Sequence, residues 1–233
     1  MKGKLPRSLA ELAWRELRND ILDGLLPPGT PLLLQEQARR LGMSVIPVRE
    51  AIARLQMEGL VVQEPQKGAF VSHVSLEDME DVYRVRIRLE TMAVELAARH
   101  ITDADYGELL DTLDKFRLAY ARDDAREGRE HHRTFHLALY RLARSRTLDR
   151  IIPPLVDLSE RYRVLSIPAR GGIDDRYREH RAILDAVMAR EPERAALLLK
   201  EHLERTVFLV RQSWHRSAGG VPEGIGTAGG DPS

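Results

Sequence analysis

Apolar positions recur at helical spacing in three short segments near the amino terminus. The spacing predicts helices from Ser8 to Leu25, from Leu33 to Leu41 and from Ser44 to Glu58, with Ser44 as a capping residue. Gly42 and Gly59 directly follow the second and third segments. Glycine commonly ends a helix because it adopts the left-handed conformation without strain, so these boundaries support three separate helices.

Two β-prone runs follow these helices, at Leu60–Val62 and Ala69–Val71. The residues between them, Glu64-Pro65-Gln66-Lys67-Gly68, are typical of a turn, which predicts a hairpin with a basic tip. Three helices followed by a hairpin form the order of a winged helix-turn-helix, which we place at residues 8–73.

Beyond Ser75 the pattern changes to long amphipathic segments. It predicts helices over 75–100, 102–122, 124–143, 147–165, 173–190 and 192–216. Pro153 and Pro154 fall inside the fourth of these, where prolines bend or split a helix. The fold class is therefore mostly α, with the winged helix-turn-helix followed by an all-helical bundle over 75–216. Residues 217–233 are rich in glycine, proline and serine, and we expect a disordered tail.

Composition narrows the classes of function. The 233 residues include 36 Lys and Arg, 36 Asp and Glu, and no cysteine, which excludes disulfides, thiol catalysis and cysteine-bound metals. No apolar run approaches the roughly 18 residues that a membrane span needs, and no apolar segment follows the charged amino terminus as in a secretory signal. We therefore expect a cytoplasmic protein that does not enter a membrane.

The helix-turn-helix pattern indicates binding to double-stranded DNA. Leu41 to Ser44 supply the turn, and the first turns of the next helix would enter the major groove. There Arg49 can reach guanine or phosphate, and the hairpin tip can enter the neighbouring minor groove. The candidate DNA-binding residues are Gln35, Ser44, Val45, Pro47, Arg49, Lys67 and Gly68. The alternative is a scaffold that binds protein through its winged helix.

Four histidines lie in or beside apolar stripes of the predicted bundle: His132, His136, His180 and His202. Apolar stripes face the core of a bundle, so the four imidazoles can converge there. A divalent transition metal satisfies several buried neutral imidazoles at once, with zinc favoured and nickel, iron or copper as options. The alternative is a set of separate, hydrogen-bonded core histidines.

Several motifs of residues 8–72 resemble the winged-helix domain of GntR-type bacterial transcription regulators. They include Ala38-Arg39-Arg40-Leu41-Gly42-Met43-Ser44, Pro47-Val48-Arg49-Glu50-Ala51-Ile52, Glu58-Gly59-Leu60-Val61 and Gly68-Ala69-Phe70-Val71. The resemblance implies operator binding. The family usually has arginine where Val45 stands, and this departure bears on the operator sequence and affinity.

Residues 76–212 resemble the FCD ligand-binding domain of the FadR subfamily of GntR regulators. The marks are Arg86-Ile87-Arg88-Leu89-Glu90, Phe135-His136, Glu179-His180-Arg181-Ala182-Ile183 and Glu201-His202-Leu203. Many members bind a metal through one aspartate and three histidines. By position the three histidines are His136, His180 and His202, and His132 stands where the aspartate is usual.

Domains of this kind bind small organic acids near the metal, so the resemblance implies a small carboxylate effector. Arg86 is the candidate partner for its carboxylate, with Tyr83 on a nearby face, although Arg86 could instead pair internally with Glu90 four residues on. The sequence thus predicts a homodimeric, metal-containing transcription regulator, with repression relieved by the effector as the expected sign. The rival class is a metal-dependent enzyme that uses the histidine-rich site.

Overall fold

The structure, a computed structural model, describes residues 8–166 and 171–218. The elements in chain order are α1 (Leu9–Leu22), α2 (Leu34–Arg40), α3 (Val45–Met57), β1 (Val61–Glu64), β2 (Gly68–Val71), α4 (Leu76–Ala97), α5 (Asp103–Ala121), α6 (Ala125–Arg141), α7 (Leu148–Ser166), α8 (Ile173–Met188) and α9 (Pro192–Ala218). Their order is that of a winged helix-turn-helix followed by a helical domain, as the sequence predicts.

Helix α3 organises the amino-terminal unit, which extends to Ser75. One face of α3 is buried against α1 and α2, and its apolar residues Val48, Ala51 and Leu55 are at most 1% exposed. Strands β1 and β2 form an antiparallel hairpin in which Val61 pairs with Val71. The opposite face of α3 is consequently left for solvent or for a ligand.

Leu76–Trp214 form the second compact unit. Helix α5 packs on α6 and α8, whereas α4 packs on α6, α7 and α8. Local sequence sets the helix starts: the Thr102 hydroxyl accepts a hydrogen bond from the Asp105 backbone in a capping box, and Asp124 caps α6 through the Glu127 N–H at 2.9 Å. These caps fix the residues at which α5 and α6 begin.

Three local predictions require correction. Helix α7 is not split at Pro153 and Pro154, because its buried residues keep it packed on α4 and α6 despite two missing N–H donors. Ser44 is the N-cap residue of α3, as predicted, but its side chain makes no capping hydrogen bond. Helix α9 continues to Ala218 and so includes the first residues of the predicted tail, while 219–233 lie outside the described residues.

Within the part of the chain that the structure describes, no helix combines the length and the apolar character that crossing a bilayer requires.

A glycine in α6 permits the closest packing between α5 and α6. A Cβ at Gly128 would lie 2.5 Å from Cδ2 of Tyr120, whereas a Cβ at Gly107 in α5 would meet nothing within 4 Å. We expect Gly128→Ala to lower the free energy of unfolding by about 1–3 kcal/mol through overpacking. Gly107→Ala should instead raise it by up to about 1 kcal/mol, because alanine is the better helix former. Urea denaturation checks both, and equal effects of the two variants would contradict the packing argument.

Candidate functional site

Four imidazoles from three helices meet in the second unit. His132 and His136 come from α6, one turn apart, while α8 contributes His180 and α9 contributes His202. All four are buried, and one ring nitrogen from each lies within 4.8 Å of those of the other three. We call these four residues the histidine cluster. The spacing along the sequence predicts this convergence, and the structure brings it about.

Hydrogen bonds orient two rings of the cluster. Nδ1 of His180 lies 2.6 Å from the backbone carbonyl oxygen of Arg176, and Nδ1 of His202 lies 3.0 Å from Oε2 of Glu179. A carbonyl or a carboxylate oxygen only accepts, so each Nδ1 carries the proton and donates it. The Nε2 atoms of both rings therefore keep their lone pairs, as in a metal-ligating histidine.

A longer relay orients the third ring. The hydroxyl of Tyr140 donates to Oε2 of Glu90 at 2.6 Å, and Nδ1 of His136 lies 3.0 Å from the same hydroxyl oxygen. Since Tyr140 has a single proton and gives it to Glu90, its oxygen accepts the Nδ1 proton of His136. Burial and the charge of Glu90 raise the pKa of Tyr140 well above its ordinary value, so the hydroxyl keeps that proton. His136 thus also keeps a lone pair at Nε2.

These tautomers place two lone pairs face to face. Nε2 of His136 and Nε2 of His180 are 3.1 Å apart, too close for two acceptors without a proton or a cation to bridge them. Nδ1 of His132 is buried and has no hydrogen-bond partner among the described residues. Burial, with the nearby charges of Arg163 and the other imidazoles, holds the pKa of His132 well below its usual value, which favours the neutral, ligand-competent ring. The cluster is therefore chemically suited to one divalent cation.

Arg86 is committed to an internal network. Its Nε donates to Oε1 of Glu90 at 2.6 Å, its Nη2 donates to Oε2 of Glu90 at 3.1 Å, and its Nη1 donates to Ser159 at 2.7 Å. Tyr83 is 1% exposed beneath the guanidinium, 4.9 Å from it. The structure therefore contains the internal pair of Arg86 and Glu90, with Tyr83 packed against it, and an effector contact of Arg86 and Tyr83 stays a prediction.

A different arginine, which the sequence analysis did not identify, lies near the cluster and forms no ion pair among the described residues. Arg176 is 7% exposed, and its Nε and Nη1 have no hydrogen-bond partner among the described residues. Burial lowers the pKa of Arg176, whereas Glu90 overrides burial and raises that of Arg86. The signal in the sequence is the i,i+4 spacing from Arg176 to His180, which places both on one face of α8.

The described cations of the winged unit separate into two groups. Arg39 and Arg49 are exposed and have no carboxylate within 4 Å among the described residues, whereas Arg15, Arg18, Arg40, Arg54 and Lys67 all lie in ion pairs. Lys67 pairs with Glu64 at 3.1 Å in the hairpin. Arg39 is absent from the predicted set, although it lines the same depression as Gln35 and Ser44.

The predicted DNA-binding residues differ in exposure. Gln35, Ser44, Arg49 and Lys67 are exposed, while Val45 and Gly68 are half-buried. Pro47 is buried and cannot present its ring to a groove, because it precedes the buried Ala51 by one helical turn. Ile46 is instead 67% exposed at the start of α3. Its placement suits an apolar contact with a thymine methyl group.

Comparison with known proteins accounts for both units. Residues 9–71 match the bacterial regulatory proteins of the gntR family, and residues 81–205 match the FCD domain. The chain is 32% identical to the HTH-type transcriptional regulator BphR of Paraburkholderia xenovorans, over 88% of this chain and 86% of that one. It is 30% identical to the HTH-type transcriptional repressor GlaR of Escherichia coli K12, over 86% and 94%.

A solved structure agrees with these matches. McbR/YncC of E. coli has a TM-score of 0.76 and 27% identity, covering 89% of this chain and 99% of that one. The relatives named above are transcription regulators, which fits a helix-turn-helix with two unpaired surface arginines. The chain therefore belongs to the GntR family of DNA-binding bacterial transcription regulators and carries an FCD domain as its second unit.

Proposed function

We propose that this regulator is a homodimeric repressor whose operator binding is controlled by a small organic acid bound beside a metal in the FCD domain. The observation that carries the proposal is the histidine cluster, in which Nε2 of His136 and Nε2 of His180 face each other at 3.1 Å. Two helix-turn-helix units on one dimer would contact two half-sites of a palindromic operator. The proposal places the protein in the cytoplasm, with the chromosome.

The metal of this proposal is a divalent transition ion, with zinc favoured. Bonds of about 2.0–2.1 Å would join it to imidazole nitrogens, a ligand set that suits zinc, nickel, iron or copper better than magnesium or calcium. The ligands would be His132, His136, His180 and His202. When bound, the ion would supply a positive centre for an effector carboxylate. The protein's own part is to hold four neutral rings in place.

Effector control requires that the ligand favour one arrangement of the dimer. A ligand that bound both arrangements equally would shift nothing, however tightly it bound. We infer that the effector stabilises an arrangement in which the spacing of the two DNA-binding units no longer fits the two half-sites of the operator. Ligand binding would then relieve repression. The GlaR relative is itself named a repressor, which supports repression rather than activation as the action of this protein.

Selection of operators from random duplexes, followed by anisotropy titrations, tests the whole proposal. The metal-loaded protein should retain one palindromic sequence, with an affinity that falls steeply as salt rises. Organic acids added to this complex should release the DNA only when metal is present. A protein that shows no sequence preference, or whose binding ignores salt, would refute the regulator and leave the scaffold alternative.

Arg49 should carry part of the sequence preference. An arginine that contacts guanine through two hydrogen bonds is worth about 1–3 kcal/mol, so Arg49→Ala should weaken operator binding roughly 10- to 100-fold. The affinity of Arg49→Ala for random DNA should fall much less. Anisotropy with operator and scrambled duplexes measures both values.

Two further variants give this measurement its controls. Arg39→Ala should weaken operator and scrambled DNA alike and make the salt slope shallower by about one, as expected of a phosphate contact. Arg15 lies on α1, where it pairs with Glu11, and not on α2 or α3, which carry Arg39 and Arg49. The Arg15→Ala protein should therefore bind DNA as tightly as wild type. If Arg15→Ala lost as much affinity as Arg49→Ala, the surface of α2 and α3 would not be the DNA-binding one.

A further inference from the structure

The second unit holds a buried cation beside the histidine cluster, Arg176, which forms no ion pair with any carboxylate of the described residues. The guanidinium of Arg176 lies 4.3 Å from the ring centroid of Tyr120 and 5.8 Å from that of Phe116. The Phe116 ring in turn lies 5.6 Å from the rings of both His132 and His180. Arg176 therefore shares its aromatic neighbour with two members of the cluster.

The neighbouring carboxylates are already engaged. Glu160 pairs with the buried Arg163 through both of its oxygens, and Glu179 binds His202 and Arg205. Glu90 is held by Arg86 and Tyr140. None of these carboxylates forms an ion pair with Arg176, and Glu179 attracts its guanidinium only from beyond salt-bridge distance.

A buried, unpaired charge is costly, and proteins usually neutralise it with an opposite charge. The histidine cluster does not offset this charge, because its four imidazoles include no carboxylate. A bound metal ion would leave its full positive charge uncompensated next to Arg176. With a metal ion bound, the region would have two positive centres, which favours a ligand with two negative groups.

We propose that Arg176 binds a second anionic group of the effector, so that the effector is a small dicarboxylate rather than a monocarboxylate. One carboxylate lies at the histidine cluster and the other accepts hydrogen bonds from Nε and Nη1 of Arg176. The rings of Tyr120 and Phe116 hold the guanidinium in place. This inference rests on the proposed function, because it assigns a residue and a ligand class to the same site.

Calorimetry on the metal-loaded protein tests the inference with matched pairs of probes. The pairs are malonate with propionate, succinate with butyrate, and glutarate with pentanoate, so that each pair differs only in the second carboxylate. Wild type should bind at least one dicarboxylate about 10- to 100-fold more tightly than its partner, the gain expected of hydrogen bonds to a charged group. The absence of such a preference in every pair would overturn the inference.

Variants at Arg176 locate this preference. Arg176→Met should lose the preference while its monocarboxylate affinity stays within about threefold of wild type, and Arg176→Lys should keep part of it because the charge remains. Arg178→Met is the matched control, since Arg178 is exposed on the same helix and pairs with Asp175. A dicarboxylate preference that survives in Arg176→Met would also overturn the inference.

Two further measurements separate this inference from the proposed function. Arg176→Met should fold with an unchanged or higher melting temperature without ligand, because methionine removes an unpaired buried charge. The control Arg178→Met should match wild type in metal content and operator affinity. Wild-type protein that binds metal and DNA but shows no dicarboxylate preference would refute only the inference. Wild-type protein that binds neither metal nor operator would refute the proposed function.

Discussion

His132→Ala and His180→Ala are expected to lose their bound metal during purification, while His131→Ala keeps it. The first two remove a ring from the histidine cluster. His131 lies beside His132 in the sequence, yet it is half-buried and contacts Glu127 at 3.4 Å. The loss of a ligand should exceed the roughly 10- to 100-fold effect of removing an outer partner of a ligand. Metal affinity should therefore fall by more than about 100-fold.

Mass spectrometry of metals, on protein purified without a nickel column, measures this effect. Wild type and His131→Ala should hold roughly one ion per chain, and a chelator should lower their melting temperatures because the ion binds only the folded state. The two cluster variants should contain almost no metal, and the chelator should leave their melting temperatures unchanged. Full metal content in both would refute the cluster as the site. Retention in His132→Ala alone would leave a site of three histidines.

His132→Asp refines this experiment. A carboxylate is also a zinc ligand, so the variant should keep its metal. It adds one negative charge to the ligand set, which should weaken the binding of any anionic effector. The affinity for a dianion should fall more than the affinity for a monoanion, since the added carboxylate repels both charges of a dianion.

The cluster was predictable because imidazoles within apolar stripes are carried into the core of the bundle together with those stripes. The i,i+4 spacing of His132 and His136 fixes their common face, and helix periodicity places His180 and His202 inward. The orientation of each ring was not predictable, because it depends on partners such as Tyr140 and the carbonyl of Arg176. Those partners follow from packing between helices and not from spacing along one helix.

Other positions show where one-dimensional patterns fail. The sequence leaves two roles for Arg86 open, since an i,i+4 carboxylate and an external anion are equally compatible with its face. Pro47 was placed in the groove because it opens α3, but the burial of that face depends on α1. The role of Arg176 is not predictable from the sequence, because a lone arginine on a helix is usually solvated. Only the tertiary structure shows that it is buried without an ion pair among the described residues.

Glu90→Leu is expected to lower the free energy of unfolding of the metal-free protein by about 3–5 kcal/mol. Glu90 is fully buried and holds both Nε and Nη2 of Arg86, so its removal leaves a buried guanidinium without a counter-charge. The loss is large beside the 5–15 kcal/mol that typically stabilises a folded protein. Urea denaturation, followed by circular dichroism, measures it, with a chelator present to exclude the contribution of metal binding.

Matched variants decide whether burial is the cause. Asp111→Asn removes an i,i+4 partner of Lys115 on the surface of α5, and it should cost no more than about 0.5 kcal/mol. The double variant Arg86→Leu/Glu90→Leu should recover most of the stability, because no charge then remains buried. A Glu90→Leu variant as stable as Asp111→Asn would mean that the guanidinium of Arg86 finds water or another partner.

The same substitution should reach the histidine cluster through Tyr140. Without Glu90 the Tyr140 hydroxyl loses its acceptor, so its oxygen no longer has to accept the Nδ1 proton of His136, and metal affinity should fall about 10- to 100-fold. Tyr140→Phe isolates this effect, because it leaves the pair of Arg86 and Glu90 intact. It should weaken metal binding similarly while lowering stability by only about 1 kcal/mol. Unchanged metal affinity in Tyr140→Phe would show that the orientation of His136 does not depend on the relay.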